Sequence, residues 1–407
     1  MTTTISSTAT PDTITSGPRQ ERVGLWLNGA RGSVATTAVT GLLAIRDGIE
    51  EPTGCVTDSP LLHDADLTPW TSFAVGGHDV VTTSLVHRAD ALVESGVVPA
   101  RVLAQVRAEL ADVEENLRRG YDPLADDETQ AEAATRLSAD ILAFQERHAL
   151  TRVVVVNVAS TEPPVSVLAE HRDLDQLVDA LADPARKVLP PSALVAYAAF
   201  RAGAGFVDFT PSTGARLPAL EQLALRQGVP FTGSDGKTGE TLLRTVLAPM
   251  FTSRALRVLS WAGINLLGGG DGATLEDPAN ASSKLVSKSG VLPALLGSPV
   301  TAPLHIDNVP DLGDHKTAWD HVSFEGFLGV RMNMQITWSG VDSTLAAPLV
   351  LDLARLVAAA HAAGRSGALH ELGFFFKDPV GTDQHALAEQ ATVLRAWASG
   401  LKGAPVA

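Results

Sequence analysis

The feature that most constrains the fold is a run of β-branched residues at positions 153–158, VVVVNV. Strands buried on both faces form near-continuous apolar runs, so this segment predicts a central strand of a parallel sheet. The polar stretch that follows, residues 159–164 (ASTEPP), then lies at the carboxyl end of that strand, where doubly wound sheets bind their ligands. The run therefore indicates an α/β fold with a ligand site at one edge of the sheet.

A second strand is predicted at residues 23–27 (VGLWL), followed by a turn that contains Gly29 and Gly32 and by a helix that ends near Gly48. This order opens a dinucleotide-binding unit, because the helix N-terminus offers free N–H groups to a pyrophosphate. The match to G-x-G-x-x-G is incomplete, so an ordinary βα loop is the alternative. Asp58 lies at about the sequence distance expected of a ribose-binding carboxylate, although aspartate is common in loops.

Glycines and lysines are concentrated in residues 265–288, NLLGGGDGATLEDPANASSKLVSK. Lys284 and Lys288 would share one face of a helix, and two neighbouring ammonium groups favour an anion between them. The alternative is a glycine turn followed by a solvated helix. Residues 233–239 (GSDGKTG) resemble a phosphate-binding loop without Walker A spacing. Lys377 follows an aromatic run predicted as a strand, so desolvation would suit it to proton transfer, unless it snorkels to solvent.

Composition excludes several functions. A formal net charge of −15 over 407 residues argues against nucleic-acid binding. No run of 18 apolar residues predicts a membrane span, and residues 1–20 are expected to form a disordered leader. Cys55 is the single cysteine, which fits a reducing cytoplasm. The residues predict no metal site.

Five segments in the same order resemble motifs of the myo-inositol-1-phosphate synthase family. Residues 265–272 (NLLGGGDG) resemble its N-H-L-G-N-N-D-G, residues 233–241 (GSDGKTGET) its G-D-D-F-K-S-G-Q-T, and residues 309–320 (VPDLGDHKTAWD) its V-P-Y-V-G-D-S-K-R-A-M-D. Residues 342–349 (DSTLAAPL) and 375–379 (FFKDP) are similar as well. The similarity extends over residues 22–385 and is strongest over 231–379.

The resemblance implies a Rossmann-type NAD-binding domain, residues 21–239 and 350–407, with an inserted α+β catalytic and tetramerisation domain, residues 240–349. It implies a homotetrameric isomerase of the intramolecular lyase type. Such an enzyme oxidises C5 of a hexose 6-phosphate, enolises at C6, closes a ring by aldol addition and reduces the ketone with the same cofactor. An ordinary NAD-dependent dehydrogenase and a non-catalytic NAD sensor are the competing hypotheses, and retention of four lysines argues against both.

The resemblance also assigns roles to individual residues. The implied catalytic residues are Lys284, Lys288, Lys316, Lys377, Asp271 and Asp314. The implied cofactor-binding residues are Gly29, Ala30, Arg31, Gly32, Ser33, Asp79, Ser160, Thr161, Thr213, Asp235, Gly270, Asp342 and Ser343. The implied substrate-binding residues are Lys237, Thr238, Gly239, Asn265, Leu267 and Gly269. Lys316 and Lys377 are expected to be essential for turnover rather than for folding.

The sequence departs from the family pattern around the substrate. Gly269 and Gly270 replace two asparagines, Leu266 replaces a histidine, and Gly236 replaces a phenylalanine. Lost hydrogen-bonding groups would leave substrate hydroxyls unpaired, which is costly in a buried site. The departures therefore predict an altered sugar. We expect fructose 6-phosphate, closed to a five-membered cyclitol phosphate as in divergent antibiotic-pathway relatives, to be at least as good a substrate as glucose 6-phosphate.

Overall fold

The computed structural model describes residues 21–125, 127–268 and 291–401. The expected leader, residues 1–20, lies outside this range. So do five residues with implied roles in the site, which are Gly269, Gly270, Asp271, Lys284 and Lys288.

Seven parallel strands form the larger sheet in the order β3-β2-β1-β4-β5-β6-β11. This is the doubly wound order of dinucleotide-binding folds with one strand added at the edge, so the predicted Rossmann-type fold is confirmed. The predicted run at residues 153–158 forms β4, at the centre. The strands are β1 (Val23–Asn28), β2 (Phe73–Asp79), β3 (Leu117–Arg119), β4 (Arg152–Asn157), β5 (Gly205–Asp208), β6 (Pro230–Gly233) and β11 (Gly367–Ala368).

Helices cover both faces of this sheet, as the parallel connections require. One face carries α1, α2, α3 and α10, and the other carries α4 to α7. The helices are α1 (Ser33–Arg46), α2 (Leu85–Glu94), α3 (Ala100–Glu114), α4 (Gln130–Arg147), α5 (Leu174–Leu181), α6 (Pro191–Arg201), α7 (Pro218–Gln227), α8 (Gly239–Ser253), α9 (Val291–Leu296), α10 (Asp342–Ala362) and α11 (Leu387–Ser399).

A second sheet of four strands follows α8 in the order β10-β9-β7-β8. Its strands are β7 (Arg257–Leu267), β8 (Leu304–Asn308), β9 (His315–Glu325) and β10 (Arg331–Val341). Alternate residues of β7 and β9 are buried, and this face packs against α8 through a small core that contains Phe251, Trp261 and Val322. In chain order this second sheet therefore lies between β6 and β11 of the larger sheet.

Helix α10 returns the chain from the second sheet to the first. Its residues Val350 to Ala360 are almost all buried, because the helix packs against α1, β4 and β5. By length and composition alone α10 could cross a membrane, but 72% of its apolar window is buried in the fold, as in a core helix. The expected domain boundary between residues 349 and 350 falls inside this helix.

The aromatic run before Lys377 is not a strand, so that prediction is wrong. Residues His370–Phe375 form a 3-10 helix. Phe376 then makes an isolated antiparallel bridge with Gly236, and this bridge places Lys377. Aromatic residues favour strands when they pack on a pleated surface, whereas here tertiary packing against α11 determines the conformation.

Candidate active site

The turn between β1 and α1 has the geometry of a pyrophosphate-binding loop. Gly29 has φ +85°, and a Cβ there would lie 2.7 Å from Ala159 Cα, so the turn runs close against the end of β4. Gly32 caps α1, and the first turn of the helix carries no acidic residue. The free N–H groups of this helix end, together with its dipole, favour an anion. The turn therefore fits a dinucleotide.

Asp79, at the end of β2, holds the other side of this turn. Its Oδ2 accepts the backbone N–H of Arg31 at 2.7 Å, and its Oδ1 accepts the N–H of Val81 at 2.8 Å. The carbonyl of His78 accepts the N–H groups of Gly29 and Ala30. Asp79 therefore stands where a doubly wound fold places its ribose-side carboxylate.

Asp58 does not take that role, contrary to the sequence interpretation. It lies in a 3-10 helix, Val56–Asp58, that is packed against α10. Its carboxylate accepts Trp70 Nε1–H at 2.9 Å and Arg355 Nη1–H at 2.9 Å. The connection between α1 and β2 is long, and Asp58 lies within it rather than at the end of β2. The number of residues between β1 and Asp58 therefore does not show whether Asp58 reaches the ribose site.

A buried polar network beneath the cleft was missed by the sequence analysis. Asn28 Nδ2 donates to Asn157 Oδ1 at 2.8 Å, and Asn157 Nδ2 donates to Asp208 Oδ1 at 2.9 Å. These residues end β1, β4 and β5, and Thr210 joins them through Asn157 Nδ2 at 3.1 Å. The polar residues Asn28 and Asn157, at or near the ends of two predicted apolar strands, were the available signal. The network fixes Asn28 and Thr210, which line the cleft.

Asp208 is the buried carboxyl group of this network. Burial raises the pKa of Asp208 to about 8, and the nearby Glu162 adds to that rise while the hydrogen bond from Asn157 opposes it. Burial also raises the pKa of Glu162, which accepts Ser192 N–H at 2.7 Å. Burial therefore favours the protonated, uncharged form of the Asp208 carboxyl group beneath the cleft.

Lys377 forms a buried ion pair with Asp235. Its Nζ lies 2.7 Å from Asp235 Oδ1, and both residues are less than a tenth exposed. The backbone joins the two segments as well, because Lys377 N–H donates to the Asp235 carbonyl at 2.8 Å. This arrangement brings together two of the implied site residues, which are separated by 142 positions in the chain.

Lys237 points away from the cleft, in contrast to its implied role in substrate binding. Its backbone N–H donates to the Phe375 carbonyl at 2.8 Å, and its Nζ donates to Gln390 Oε1 of α11 at 2.5 Å. Burial lowers the pKa of Lys237 to about 7. A fully extended segment would place Asp235 and Lys237 on the same face, but Asp235 has φ +60°, so the backbone turns there and the two side chains diverge. We infer that Lys237 anchors α11 to the segment that carries Lys377.

A second lysine–aspartate pair lies across the cleft. Lys316 Nζ on β9 is 3.0 Å from Asp342 Oδ2 at the start of α10. Thr238 Oγ1 donates to the other oxygen, Asp342 Oδ1, at 3.2 Å. Asp314 lines the same cleft, and its Oδ2 accepts the hydroxyl of Ser95 at 3.0 Å.

Asn265 is buried in the second sheet, away from the cleft. Its Nδ2 donates to Glu240 Oε2 at 2.8 Å, and Glu240 Oε1 lies 2.5 Å from Arg244 Nη2. Arg244 also donates to Asp320 Oδ1 at 3.0 Å. This charged network joins α8 to the second sheet. Asn265 therefore stabilises the packing of the second sheet on α8 and does not reach the cleft.

The two lysine–aspartate pairs, the turn between β1 and α1, and the polar network around Asn157 surround one cleft of about 1150 Å³ between the two sheets. Of the implied residues within the described part, five do not line it, namely Ala30, Thr213, Lys237, Gly239 and Asn265. Fifteen do line it, and they are Gly29, Arg31, Gly32, Ser33, Asp79, Ser160, Thr161, Asp235, Thr238, Leu267, Asp314, Lys316, Asp342, Ser343 and Lys377.

The doubly wound sheet, its glycine turn and the lysine-bearing second sheet define an NAD-dependent enzyme of the Rossmann class. A family model described as myo-inositol-1-phosphate synthase matches residues 23–398. The chain belongs to that family. It is therefore an enzyme of the intramolecular lyase type that uses NAD to cyclise a hexose phosphate.

Individual relatives agree with this assignment. The chain is 34% identical over 403 residues to inositol-3-phosphate synthase 1 of Bacteroides thetaiotaomicron, covering 90% of this chain and 92% of the relative. The crystal structure of inositol-3-phosphate synthase from Caenorhabditis elegans has a TM-score of 0.80 at 22% identity, covering 95% of this chain and 87% of that one. A myo-inositol-1-phosphate synthase-related protein from Thermotoga maritima has a TM-score of 0.75 at 23% identity, covering 93% and 98%. The two structures support the fold.

Proposed function

We propose that this chain converts glucose 6-phosphate into 1L-myo-inositol 1-phosphate. The observation that carries the proposal is the pair of lysine–aspartate contacts, Lys316–Asp342 and Lys377–Asp235, that face one cleft beside the dinucleotide turn. The 34% identical Bacteroides relative, named as an inositol-3-phosphate synthase, supports an inositol phosphate as the product.

The two lysine–aspartate pairs supply the charge that such a cyclisation needs. Bound NAD would provide a hydride acceptor and donor, held by the turn at Gly29 and the N-terminus of α1. A buried ammonium group stabilises negative charge as it develops on a substrate oxygen, because the site is largely shielded from water. Asp235 and Asp342 orient the two ammonium groups, and a lysine so placed can donate or accept a proton. Lys284 and Lys288 are proposed to bind the phosphate.

A second candidate is fructose 6-phosphate, closed to a five-membered cyclitol phosphate. It is favoured by the wall of the cleft at Gly236, where the family pattern has phenylalanine. A Cβ at Gly236 would lie 2.2 Å from the Phe209 ring, so Phe209 fills this place from β5 instead. The departure at Leu266 lends less support than expected, because Leu266 alternates with the cleft-lining Leu267 and so lies on the other face of β7.

One incubation distinguishes the candidates. The purified protein with NAD is given either glucose 6-phosphate or fructose 6-phosphate, and the products are identified by NMR. We expect myo-inositol phosphate from glucose 6-phosphate, with kcat/KM at least tenfold higher, about 1.4 kcal/mol, and without net change in absorbance at 340 nm. This differs from the preference for fructose 6-phosphate that the sequence departures predict, because Leu266 faces away from the cleft. A branched five-membered product formed with the higher kcat/KM would establish the second candidate. Stoichiometric NADH release would indicate a simple dehydrogenase and contradict both.

We also propose that residues 240–349 form the catalytic and oligomerisation unit of a homotetramer. The β9–β10 hairpin supports this, because Phe327 and Leu328 at its tip are 88% and 85% exposed. Val330, Met332 and Ile264 on the same sheet are also exposed. Exposed apolar surface of this kind marks an interaction site, and a second copy of the chain is the occupant we propose.

The single buried thiol of Cys55 supports a cytoplasmic location.

Light scattering coupled to gel filtration measures the oligomeric state. We expect a mass of about 170 kDa, four times the 42.5 kDa of one chain. Phe327→Ser with Leu328→Asp should lower that mass by removing apolar contact area and adding charge. Val178→Ser, at an exposed apolar residue of α5, is the matched control and should leave the mass unchanged. A wild-type monomer at micromolar concentration would contradict the proposal.

A further inference from the structure

The end of the cleft nearest β2 and β3 carries both signs of charge. Arg31, Asp79 and Arg88 all line it there. Arg88 Nε donates to the Arg31 carbonyl at 3.2 Å, which holds the two arginines together. In doubly wound folds a carboxylate at this place binds the ribose hydroxyls of NAD, whereas an arginine accommodates the 2′-phosphate of NADP. The two arginines alone would therefore favour a phosphorylated ribose.

Glu114, at the end of α3, forms an ion pair with Arg31 and so reduces the positive charge available to a phosphorylated ribose. Its Oε1 accepts Arg31 Nε–H at 3.1 Å and also contacts Arg31 Nη2. Arg31 Nη1 donates in turn to the Val81 carbonyl at 3.1 Å. The guanidinium side chain is only 13% exposed and all three of its nitrogens are engaged.

The position of Glu114 is itself fixed by the fold. Its second oxygen, Oε2, accepts the backbone N–H of Leu85 at 2.8 Å, at the N-terminus of α2. A carboxylate is stabilised there by the free N–H groups and the dipole of the helix. Glu114 thus binds α2 with one oxygen and Arg31 with the other, so the pair is held in place before any ligand arrives.

We propose that Glu114 is a specificity-determining residue that selects NAD over NADP by occupying the guanidinium of Arg31. A 2′-phosphate would have to displace Glu114 from Arg31 and would also meet the negative charge of Asp79. A neutral 2′-hydroxyl meets neither obstacle. The inference rests on NAD binding at the Gly29 turn, and it adds the residue that distinguishes the two dinucleotides.

Glu114→Gln tests the proposal with little disturbance of the fold. The glutamine carbonyl can still accept the Leu85 N–H, whereas its amide group cannot accept from Arg31. Titration calorimetry measures the dissociation constants of NAD+ and NADP+ for the wild type, Glu114→Gln, and Glu114→Gln combined with Arg31→Leu. We expect Glu114→Gln to raise the affinity for NADP+ relative to NAD+ at least tenfold, and Arg31→Leu to abolish that gain.

Three other results would each contradict one part of the proposal. If Glu114→Gln melts normally, binds NAD+ and shows an unchanged affinity ratio, Glu114 does not determine specificity. If the gain persists with Arg31→Leu, Arg31 is not the phosphate ligand. A wild type that binds neither dinucleotide would overturn the cofactor assignment itself, and with it this inference. Glu114→Ala, which also removes the carboxylate, repeats the test if the glutamine variant does not fold.

Discussion

Lys377→Met is expected to lower turnover by on the order of a hundredfold or more, as the loss of a general acid or base does. The Lys377 ammonium group lies 2.7 Å from Asp235 Oδ1 and faces the cleft. Methionine keeps the length and the apolar stem of the side chain but cannot stabilise an oxyanion or transfer a proton. Steady-state kinetics with the preferred sugar, at saturating NAD, measures the effect on kcat.

The melting temperature should fall as well, which differs from the expectation that Lys377 matters for turnover alone. Removing one partner of a buried ion pair leaves the other charge uncompensated, at a cost of about 3 kcal/mol. Lys377→Met combined with Asp235→Asn is the matched control, because it removes both charges. The double variant should recover much of the lost stability and none of the lost turnover. A single variant with near-normal kcat would remove Lys377 from the mechanism.

Gly29→Ala is expected to weaken NAD binding by on the order of a hundredfold, about 2.7 kcal/mol. A side chain at φ +85° is strained by roughly 1–2 kcal/mol, and the new Cβ would lie 2.7 Å from Ala159 Cα. The turn must shift away from β4 to relieve the contact, and the N-terminus of α1, which would hold the pyrophosphate, shifts with it. Calorimetric titration with NAD+ measures the loss.

Gly41→Ala in α1, the helix that follows the Gly29 turn, provides the comparison. A Cβ at Gly41 meets nothing within 4 Å, so the substitution should stabilise α1 by up to about 1 kcal/mol. It should leave the affinity for NAD+ unaltered, because Gly41 lies in the middle of the helix and far along it from the turn. Equal affinities for all three proteins would show that the Gly29 turn does not hold the cofactor.

Local sequence patterns were sufficient to predict β1 and β4, two central strands of the first sheet, and the edge of the sheet at which they end. The apolar run at residues 153–158 and the glycine turn after β1 depend on burial and backbone conformation, which act over a few residues. The family resemblance added Asp79, Lys316 and Lys377, and the structure brings all three to the cleft.

The direction of individual side chains could not be predicted in the same way. Lys237 and Lys377 each follow one partner of the Gly236–Phe376 bridge, yet only Lys377 lines the cleft, while Lys237 Nζ bonds Gln390 of α11. Asn265 is held behind the cleft by Glu240, a contact that depends on how α8 packs against β7. No sequence motif around Glu114 indicates its contact with Arg31. That contact forms only because α2, α3 and the turn between β1 and α1 pack together in the fold.

The return of α10 to the first sheet has a consequence for how the protein folds while it is being made. The apolar face of α1 is covered by α10, and Lys377 meets Asp235 only after the edge strand has been added. At about 5–20 residues per second, roughly 15–60 s pass between the synthesis of α1 and that of α10. During that interval the nascent chain carries an uncovered apolar surface, which makes it a natural client for ribosome-associated chaperones.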